Sequence, residues 1–187
     1  MKGFLAYQEP GDIPNYSVGE WSPTDFDTIP LNHFFLTDFG KENCFYFKKS
    51  QAFTDGLDFE FSCNDENSVV ALEKEEYLTT ISAFQRDMNN NAIDKAIFSR
   101  IQLHEKSEAL DLIALFKKLC DRYKNEAFVY LISAPQFGTW IGATPEVLVK
   151  GNANQLNTVA LAGTKKSVST KWTSKEIREQ AIVSGYI

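Results

Sequence analysis

Two residues in the middle of the chain have the chemistry of a general base and a general acid. Lys95 begins a segment in which apolar residues alternate with other residues, and a partly desolvated amine at that place could accept a proton. Glu146 follows the turn sequence 142–145 (GATP), which delivers a carboxyl group at the head of a strand, where it could donate a proton. Taken alone, each residue is more typical of an ordinary protein surface than of a catalytic site.

Two later motifs have the chemistry of ligand and metal binding. Residues 161–164 (LAGT) end a predicted strand with small residues, so backbone N–H groups could approach a carboxylate closely, although a plain glycine turn has the same sequence. Glu176 and Glu179 are three residues apart on a predicted helix, which puts both carboxylates on one face, where they could bind Mg²⁺. Most such pairs are solvated helix surface, but repulsion between the like charges slightly favours a bound cation.

The elements that must position these residues follow from the periodicity of the apolar residues. Residues 1–73 are typical of short strands and long loops, whereas helices are predicted at 74–89 and at 107–123, the second with Ser107 as its N-cap. Thr173 followed by Glu176 forms a capping box that begins a last helix. This helix has no stop signal before the end of the sequence, which favours a truncated chain. The predicted strands are residues 95–103, 127–133, 139–142, 146–150 and 156–161.

Length and composition favour one globular domain. The 187 residues are 43% hydrophobic, which is enough to form a core, and the net charge of −6 argues against nucleic-acid binding. Three widely spaced cysteines, without a CxxC pair, indicate neither a disulfide framework nor a zinc site and favour a reducing cytoplasm. Residues 1–7 contain one lysine and only a very short apolar stretch, far less than a signal peptide needs, and no run of about 18 apolar residues predicts a membrane span.

The motifs gain weight from their order along the chain. Residues 95–100 (KAIFSR), 138–146 (GTWIGATPE), 161–164 (LAGT) and 174–180 (SKEIREQ) together resemble the chorismate-binding enzymes, a family that includes isochorismate, salicylate, anthranilate and aminodeoxychorismate synthases. The resemblance covers residues 77–187 well and the preceding residues only in general character. One departure is Gln180, because a histidine often follows the glutamate at this place.

The resemblance implies a Mg²⁺-dependent exchange at the chorismate ring, in which water attacks C2 while the C4 hydroxyl departs. Lys95 would correspond to the base that activates water, and Glu146 to the acid that protonates the leaving hydroxyl. Mg²⁺ would neutralise a substrate carboxylate and position the ring. The residues implied to line the substrate are Ala162, Gly163 and Thr164, and those implied to hold the metal are Glu179 and Glu176.

Two of these residues discriminate among the activities of the family. A lysine at position 95 indicates water as the nucleophile, since ammonia-using anthranilate synthases usually carry a glutamine there, and Ala162 disfavours the aminodeoxychorismate branch. Isochorismate synthase is favoured as the simpler reaction. A salicylate synthase, an enzyme like anthranilate synthase component I, and a non-catalytic binding module or inactive fragment are the alternatives. Menaquinone and siderophore biosynthesis both remain open as pathways.

The fold implied by the resemblance is α+β, a partial chorismate-binding fold like that of anthranilate synthase component I, with antiparallel sheets flanked by helices. Residues 1–187 would form a single domain, the N-terminal half of that fold, in which 1–73 are rich in strands and loops and 74–187 carry the motifs. In the family a second half supplies further basic residues, another metal-binding carboxylate and more strands. We therefore expect self-association or a partner that supplies the missing half.

Overall fold

The computed structural model describes residues 2–53, 58–63, 71–90, 93–107, 109–152 and 154–187. Two compact units divide the chain: the first comprises Met1–Asn67 and Ser107–Pro145, and the second comprises Ser68–Lys106 and Glu146–Ile187. The fold class is α+β, as expected. The elements of the described residues are β1 (Gly3–Gln8), β2 (Asn15–Pro23), β3 (Phe35–Thr37), β4 (Cys44–Phe53), α1 (Lys74–Asn90), α2 (Leu112–Arg122), β5 (Phe128–Ala134), β6 (Gly138–Thr144), β7 (Lys150–Asn152), β8 (Gln155–Asn157) and α3 (Ser174–Tyr186).

An antiparallel sheet forms the centre of the first unit, with strand order β3-β4-β2-β1-β5-β6 within the described residues. The sheet has two apolar faces because successive side chains alternate in direction. One face contributes a buried cluster that includes Phe4 and Val129 and contains Phe116 and Cys120 of α2. The other face is centred on Trp21, which is 1% exposed. The hairpin formed by β5 and β6 confirms the strands predicted at 127–133 and 139–142.

Helix α2 begins later than predicted. Asp111, and not Ser107, is the N-cap, because the Asp111 Oδ1 atom accepts a hydrogen bond from the Ala114 N–H at 2.9 Å. Ser107 lies in a turn before the helix, where its carbonyl accepts a hydrogen bond from the Leu110 N–H at 3.1 Å. The predicted range 107–123 was therefore wrong at its start. Residue 108, which fell in that range, lies outside the described residues.

The helices of the second unit confirm the sequence-based expectations, whereas its strands do not. Helix α1 covers the predicted 74–89, and α3 begins with the predicted capping box. The strand predicted at 95–103 was wrong, because residues 93–107 form neither helix nor strand in the structure. The strands predicted at 146–150 and 156–161 were wrong in their bounds, since the described residues there pair only as the short hairpin of β7 and β8, which overlaps the predictions at 150 and at 156–157. Asn152 sets this hairpin, because its side-chain oxygen accepts the N–H groups of Asn154 and Gln155.

No helix within the described part of the chain combines the length and apolar character that crossing a bilayer requires. The expectation of a single domain over 1–187 stays a prediction.

Candidate active site

All seven candidate site residues belong to the second unit. In this unit an open cleft with a volume of about 1320 Å³ lies along α3, and we call it the α3 cleft. It is lined by the C-terminal end of α1, residues 93–98, Glu146, residues 161–162 and one side of α3. Lys95, Glu146, Ala162 and Glu179, which come from the four separate motifs, all line this cleft.

Two consecutive ion pairs join residues 94 and 95 to helix α3. The Lys95 Nζ atom lies 3.1 Å from the Glu179 Oε1 atom, and the two side chains are 24% and 30% exposed. The Asp94 carboxylate lies 3.3 Å from the Arg178 guanidinium, but that pair is far more exposed. The Lys95–Glu179 pair is therefore the better shielded contact, and it orients the amine towards α3.

The residues after Lys95 pack on helix α1. Phe98 contacts the rings of Tyr77 and Phe84, with ring centroids 5.4 and 5.3 Å apart. The Arg100 guanidinium lies 5.7 Å from the centroid of the Tyr77 ring. Lys95 contacts α3 while Phe98 and Arg100 contact α1, which is the alternation of side chains that the sequence predicted for this segment. The alternation was therefore predicted correctly although the strand was not.

The segment 160–164 is held against α3 by Gln180. The Gln180 Nε2 atom donates a hydrogen bond to the Ala160 carbonyl at 2.8 Å, and the Gln180 Oε1 atom accepts one from the Ala162 N–H at 3.1 Å. Gly163 approaches the helix closely, because a Cβ atom at this position would lie 3.2 Å from the Glu176 carbonyl oxygen. The small residues of the LAGT motif thus permit contact between this segment and α3.

Glu176 and Glu179 have different surroundings. Glu176 completes the capping box, in which its carboxylate accepts hydrogen bonds from the Thr173 N–H and hydroxyl. The hydrogen bond from the Thr173 side chain lowers the pKa of the Glu176 carboxyl below its ordinary value. Glu179 lines the cleft and contacts Lys95. Whether Glu176 binds a metal stays a prediction.

The fit of the described residues to Mg²⁺ rests on Glu179. Those residues contain no group of three or more His, Cys, Asp or Glu side chains that could hold a metal ion together. Mg²⁺ commonly keeps several waters and uses one or two protein carboxylates together with oxygens of the substrate. Glu179 is the carboxylate of the cleft that could join such a set, and in this structure it contacts Lys95, whereas the Glu176 carboxylate is engaged at the start of α3.

The positions of the remaining candidate residues follow from the course of the backbone. Glu146 follows Pro145 and is exposed at the cleft, and Ala162 is half-buried there. Gly163 and Thr164 follow Ala162 directly, with Gly163 half-buried and Thr164 exposed. The structure therefore brings Lys95, Glu146, Ala162 and Glu179 to one cleft, whereas Gly163 and Thr164 are not among the residues that line it.

Sequence reasoning did not assign roles to three residues of this site. Gln180 holds the LAGT segment, and Lys175 and Arg178 add positive charge to the wall of the cleft. The available signal was the 3.6-residue period of the last helix, which places positions 175, 178, 179 and 182 on neighbouring parts of its surface. That period identifies a face of the helix but does not identify its partners.

A cleft that combines an amine with carboxyl groups is typical of an enzyme site with acid–base chemistry. Residues 47–184, almost three quarters of the chain, match the family described as chorismate binding enzyme. The chain therefore belongs to the chorismate-binding enzyme family. No curated protein and no solved structure matches the chain significantly.

Proposed function

We propose that this chain carries the chorismate-binding part of an isochorismate synthase. In this reaction the oxygen of water bonds to C2 of chorismate, the ring double bonds shift, and the C4–O bond breaks. One proton leaves the attacking water and one proton joins the departing hydroxyl, so the reaction is an isomerisation without an external oxidant. Both steps need a proton acceptor and a proton donor at the ring.

The observation that supports the proposal is the convergence of four motifs on the α3 cleft. Lys95, Glu146, Ala162 and Glu179 are separated by up to 84 positions in sequence, yet they line one cleft of one compact unit. Convergence of separate motifs on a cavity is the arrangement expected of a ligand site. A set of unrelated surface residues would have no reason to share a cavity.

Lys95 and Glu146 take the two proton-transfer roles. We assign Lys95 as the base that accepts a proton from water, because its side chain lines the cleft and is only 24% exposed. We assign Glu146 as the acid that donates to the C4 hydroxyl, since its carboxyl group lines the same cleft. Gly163 and Thr164 would then contact the substrate through the LAGT segment.

Chorismate carries two carboxylates, so its site must offer positive charge. Lys175 and Arg178 line the same cleft as Lys95, as do the carboxyl groups of Asp94, Glu146 and Glu179, and Arg178 contacts Asp94 at 3.3 Å. A local cation attracts an anion even when the net charge of the whole chain, −6, is unfavourable. We therefore assign Lys175 as a cation that binds a carboxylate of the substrate.

We also propose Mg²⁺ as the cofactor, with Glu179 as one of its ligands. When bound, Mg²⁺ would neutralise a substrate carboxylate and help to orient the ring. Glu179→Gln should therefore weaken binding of Mg²⁺, measured by isothermal titration calorimetry with MgCl₂. Glu176→Gln is a matched control, because glutamine also completes a capping box. Equal weakening in both variants would assign the metal to both carboxylates, and no weakening in either would contradict the metal site.

The test of the activity is conversion of chorismate in the presence of Mg²⁺, followed by chromatography for isochorismate and salicylate. The chain is assayed alone and together with a polypeptide that supplies the second half expected from the family resemblance. Isochorismate as the product supports the proposal, and Lys95→Ala should abolish it. Lys171→Ala removes a lysine that does not line the cleft and should retain activity.

Other products of the same assay would redirect the assignment. Salicylate would favour a salicylate synthase, and anthranilate formed with added ammonia would favour the anthranilate branch. Absence of any product in both preparations, with chorismate still bound, would favour a non-catalytic binding module. Absence of both conversion and binding would contradict the proposal.

A further inference from the structure

Gln180 makes an unusual pair of contacts with the backbone of the LAGT segment. Its side-chain N–H group binds the Ala160 carbonyl at 2.8 Å, and its side-chain oxygen binds the Ala162 N–H at 3.1 Å. Only one orientation of the amide satisfies both contacts, since the carbonyl needs a donor and the N–H needs an acceptor. The amide of Gln180 therefore recognises this backbone specifically.

The Gln180 side-chain amide binds this segment as the backbone of a neighbouring strand would. In a parallel ladder, one residue binds the carbonyl of residue i−1 and the N–H of residue i+1 on the adjacent strand. Gln180 binds Ala160 and Ala162 in this way, on either side of Leu161. Because Gly163 follows Ala162 directly, fixing these two groups also restricts the position of the Gly163 backbone.

Helix α3 leaves little space behind this segment. A Cβ atom on Gly163 would lie 3.1 Å from the Trp172 ring and 3.2 Å from the Glu176 carbonyl oxygen. Glu179, which directly precedes Gln180 on α3, contacts Lys95 at 3.1 Å. Adjacent residues of one helical turn thus hold both Lys95 and the LAGT segment.

We propose that Gln180 is a positioning residue for the chorismate site. Its amide sets the distance and orientation of residues 160–164 relative to α3, so that Leu161 and Ala162 line the cleft while Lys95 is held by the neighbouring Glu179. This inference rests on the proposed function for the identity of the ligand. The positioning itself is independent of that identity, because it is a contact within the chain.

The test compares wild type with three variants. Gln180→Met has a similar length but neither hydrogen bond, and Gln180→Glu keeps an acceptor for the Ala162 N–H but loses the donor to Ala160. Ser184→Ala is the matched control, because it removes only the contact between Gln180 and the Ser184 hydroxyl, at 3.2 Å. Each protein is measured for hydrogen exchange at the Ala162 amide, for melting temperature, and for chorismate affinity by calorimetry with Mg²⁺.

We expect Gln180→Met to speed exchange of the Ala162 amide, to weaken chorismate binding by about tenfold, and to lower the melting temperature by a few degrees through loss of two hydrogen bonds. Gln180→Glu should retain slow exchange at Ala162 and still bind chorismate more weakly. Ser184→Ala should behave as wild type. A purely structural role would lower the melting temperature of Gln180→Met but leave its chorismate affinity, measured well below that temperature, unchanged.

The outcomes separate the two proposals. If wild type does not bind chorismate, the proposed function fails, and the exchange rates alone decide whether Gln180 holds the segment. If wild type binds chorismate and Gln180→Met binds it equally well, the positioning role is overturned. Unchanged exchange of the Ala162 amide in Gln180→Met would also overturn it.

Discussion

Gly163→Ala tests how closely the LAGT segment lies against α3. A Cβ atom at this position would lie 3.1 Å from the Trp172 ring, 3.2 Å from the Glu176 carbonyl oxygen and 3.3 Å from the Glu176 Cβ atom. Optimal contacts between carbon atoms are about 3.5–4.0 Å, so the segment or the Trp172 ring must move by a few tenths of an ångström. Overpacking of this kind costs about 1–3 kcal/mol of the free energy of unfolding.

An opposite effect reduces this cost. Gly163 does not have a left-handed φ, so alanine can adopt its backbone conformation, and the loss of freedom in the unfolded chain stabilises the variant by about 0.4–1 kcal/mol. We therefore expect a net destabilisation of about 1 kcal/mol, measured by urea denaturation. The free energy of chorismate binding should decrease by more than the free energy of unfolding, because the displaced segment carries Ala162 and Thr164.

Gly185→Ala is the matched control for this prediction. Gly185 lies in α3, and a Cβ atom there would meet nothing within 4 Å. The helix propensity of alanine should raise the free energy of unfolding by up to about 1 kcal/mol, without changing chorismate affinity. The reasoning is refuted if Gly163→Ala stabilises the protein as Gly185→Ala does, since this would show that the segment does not lie against α3.

Three further predictions concern other contacts of the chain. A double-mutant cycle with Lys95→Met and Glu179→Gln should give a coupling free energy of about 1 kcal/mol, and a value near zero would contradict the shielded ion pair. Thr173→Ala should lower the free energy of unfolding by about 1 kcal/mol through loss of the N-cap, whereas Thr173→Ser should be nearly neutral. Burial raises the pKa of the Cys120 thiol to about 11, so a thiol-reactive reagent near neutral pH should modify exposed Cys63 first. Equal labelling of the two cysteines in the folded protein would contradict the burial of Cys120.

Local signals in the sequence were sufficient to predict the helices of the second unit. The capping box of Thr173 and Glu176 involves residues three positions apart, and the apolar period of α1 is also a short-range pattern. Such features depend on contacts within one or two helical turns. They were therefore predicted without knowledge of the tertiary structure.

Strand pairing was not accessible in the same way. The alternation in 95–103 correctly predicted opposite sides for Lys95 and Phe98, but a strand also needs a hydrogen-bonded neighbour, and 93–107 have no such ladder in the structure. Conversely, β1 pairs with β5, whose residues are more than 120 positions away in sequence. Neither the missing ladder nor the distant one has a local signature.

The choice of N-cap for α2 shows a further limit. Ser107 and Asp111 both have side chains that can cap a helix, and the sequence offers no local reason to prefer the second. In the structure the helix that begins after Asp111 buries Phe116 and Cys120 against the sheet. Asp111 is therefore the N-cap of a helix whose start is linked to the packing of these two side chains, and this packing cannot be read from the sequence alone.

The sequence indicated candidate residues for the site but not the contacts between them. The residue types of Lys95, Glu146 and Glu179 identified candidates for proton transfer and metal binding, and the structure places all three at one cleft. The Lys95–Glu179 ion pair joins residues 84 positions apart, and Gln180 binds a segment 18 to 20 positions before it. These contacts depend on how α3 packs, which no motif encodes.

Chemical-shift mapping of the labelled protein with chorismate and Mg²⁺ tests most directly whether chorismate binds in the α3 cleft. We expect saturable shifts of the backbone amides at Lys95, Glu146, residues 162–164 and Glu179. Shifts confined to the first unit, for example at the apolar pocket lined by Phe45 and Phe128, would contradict it, as would the absence of any saturable shift.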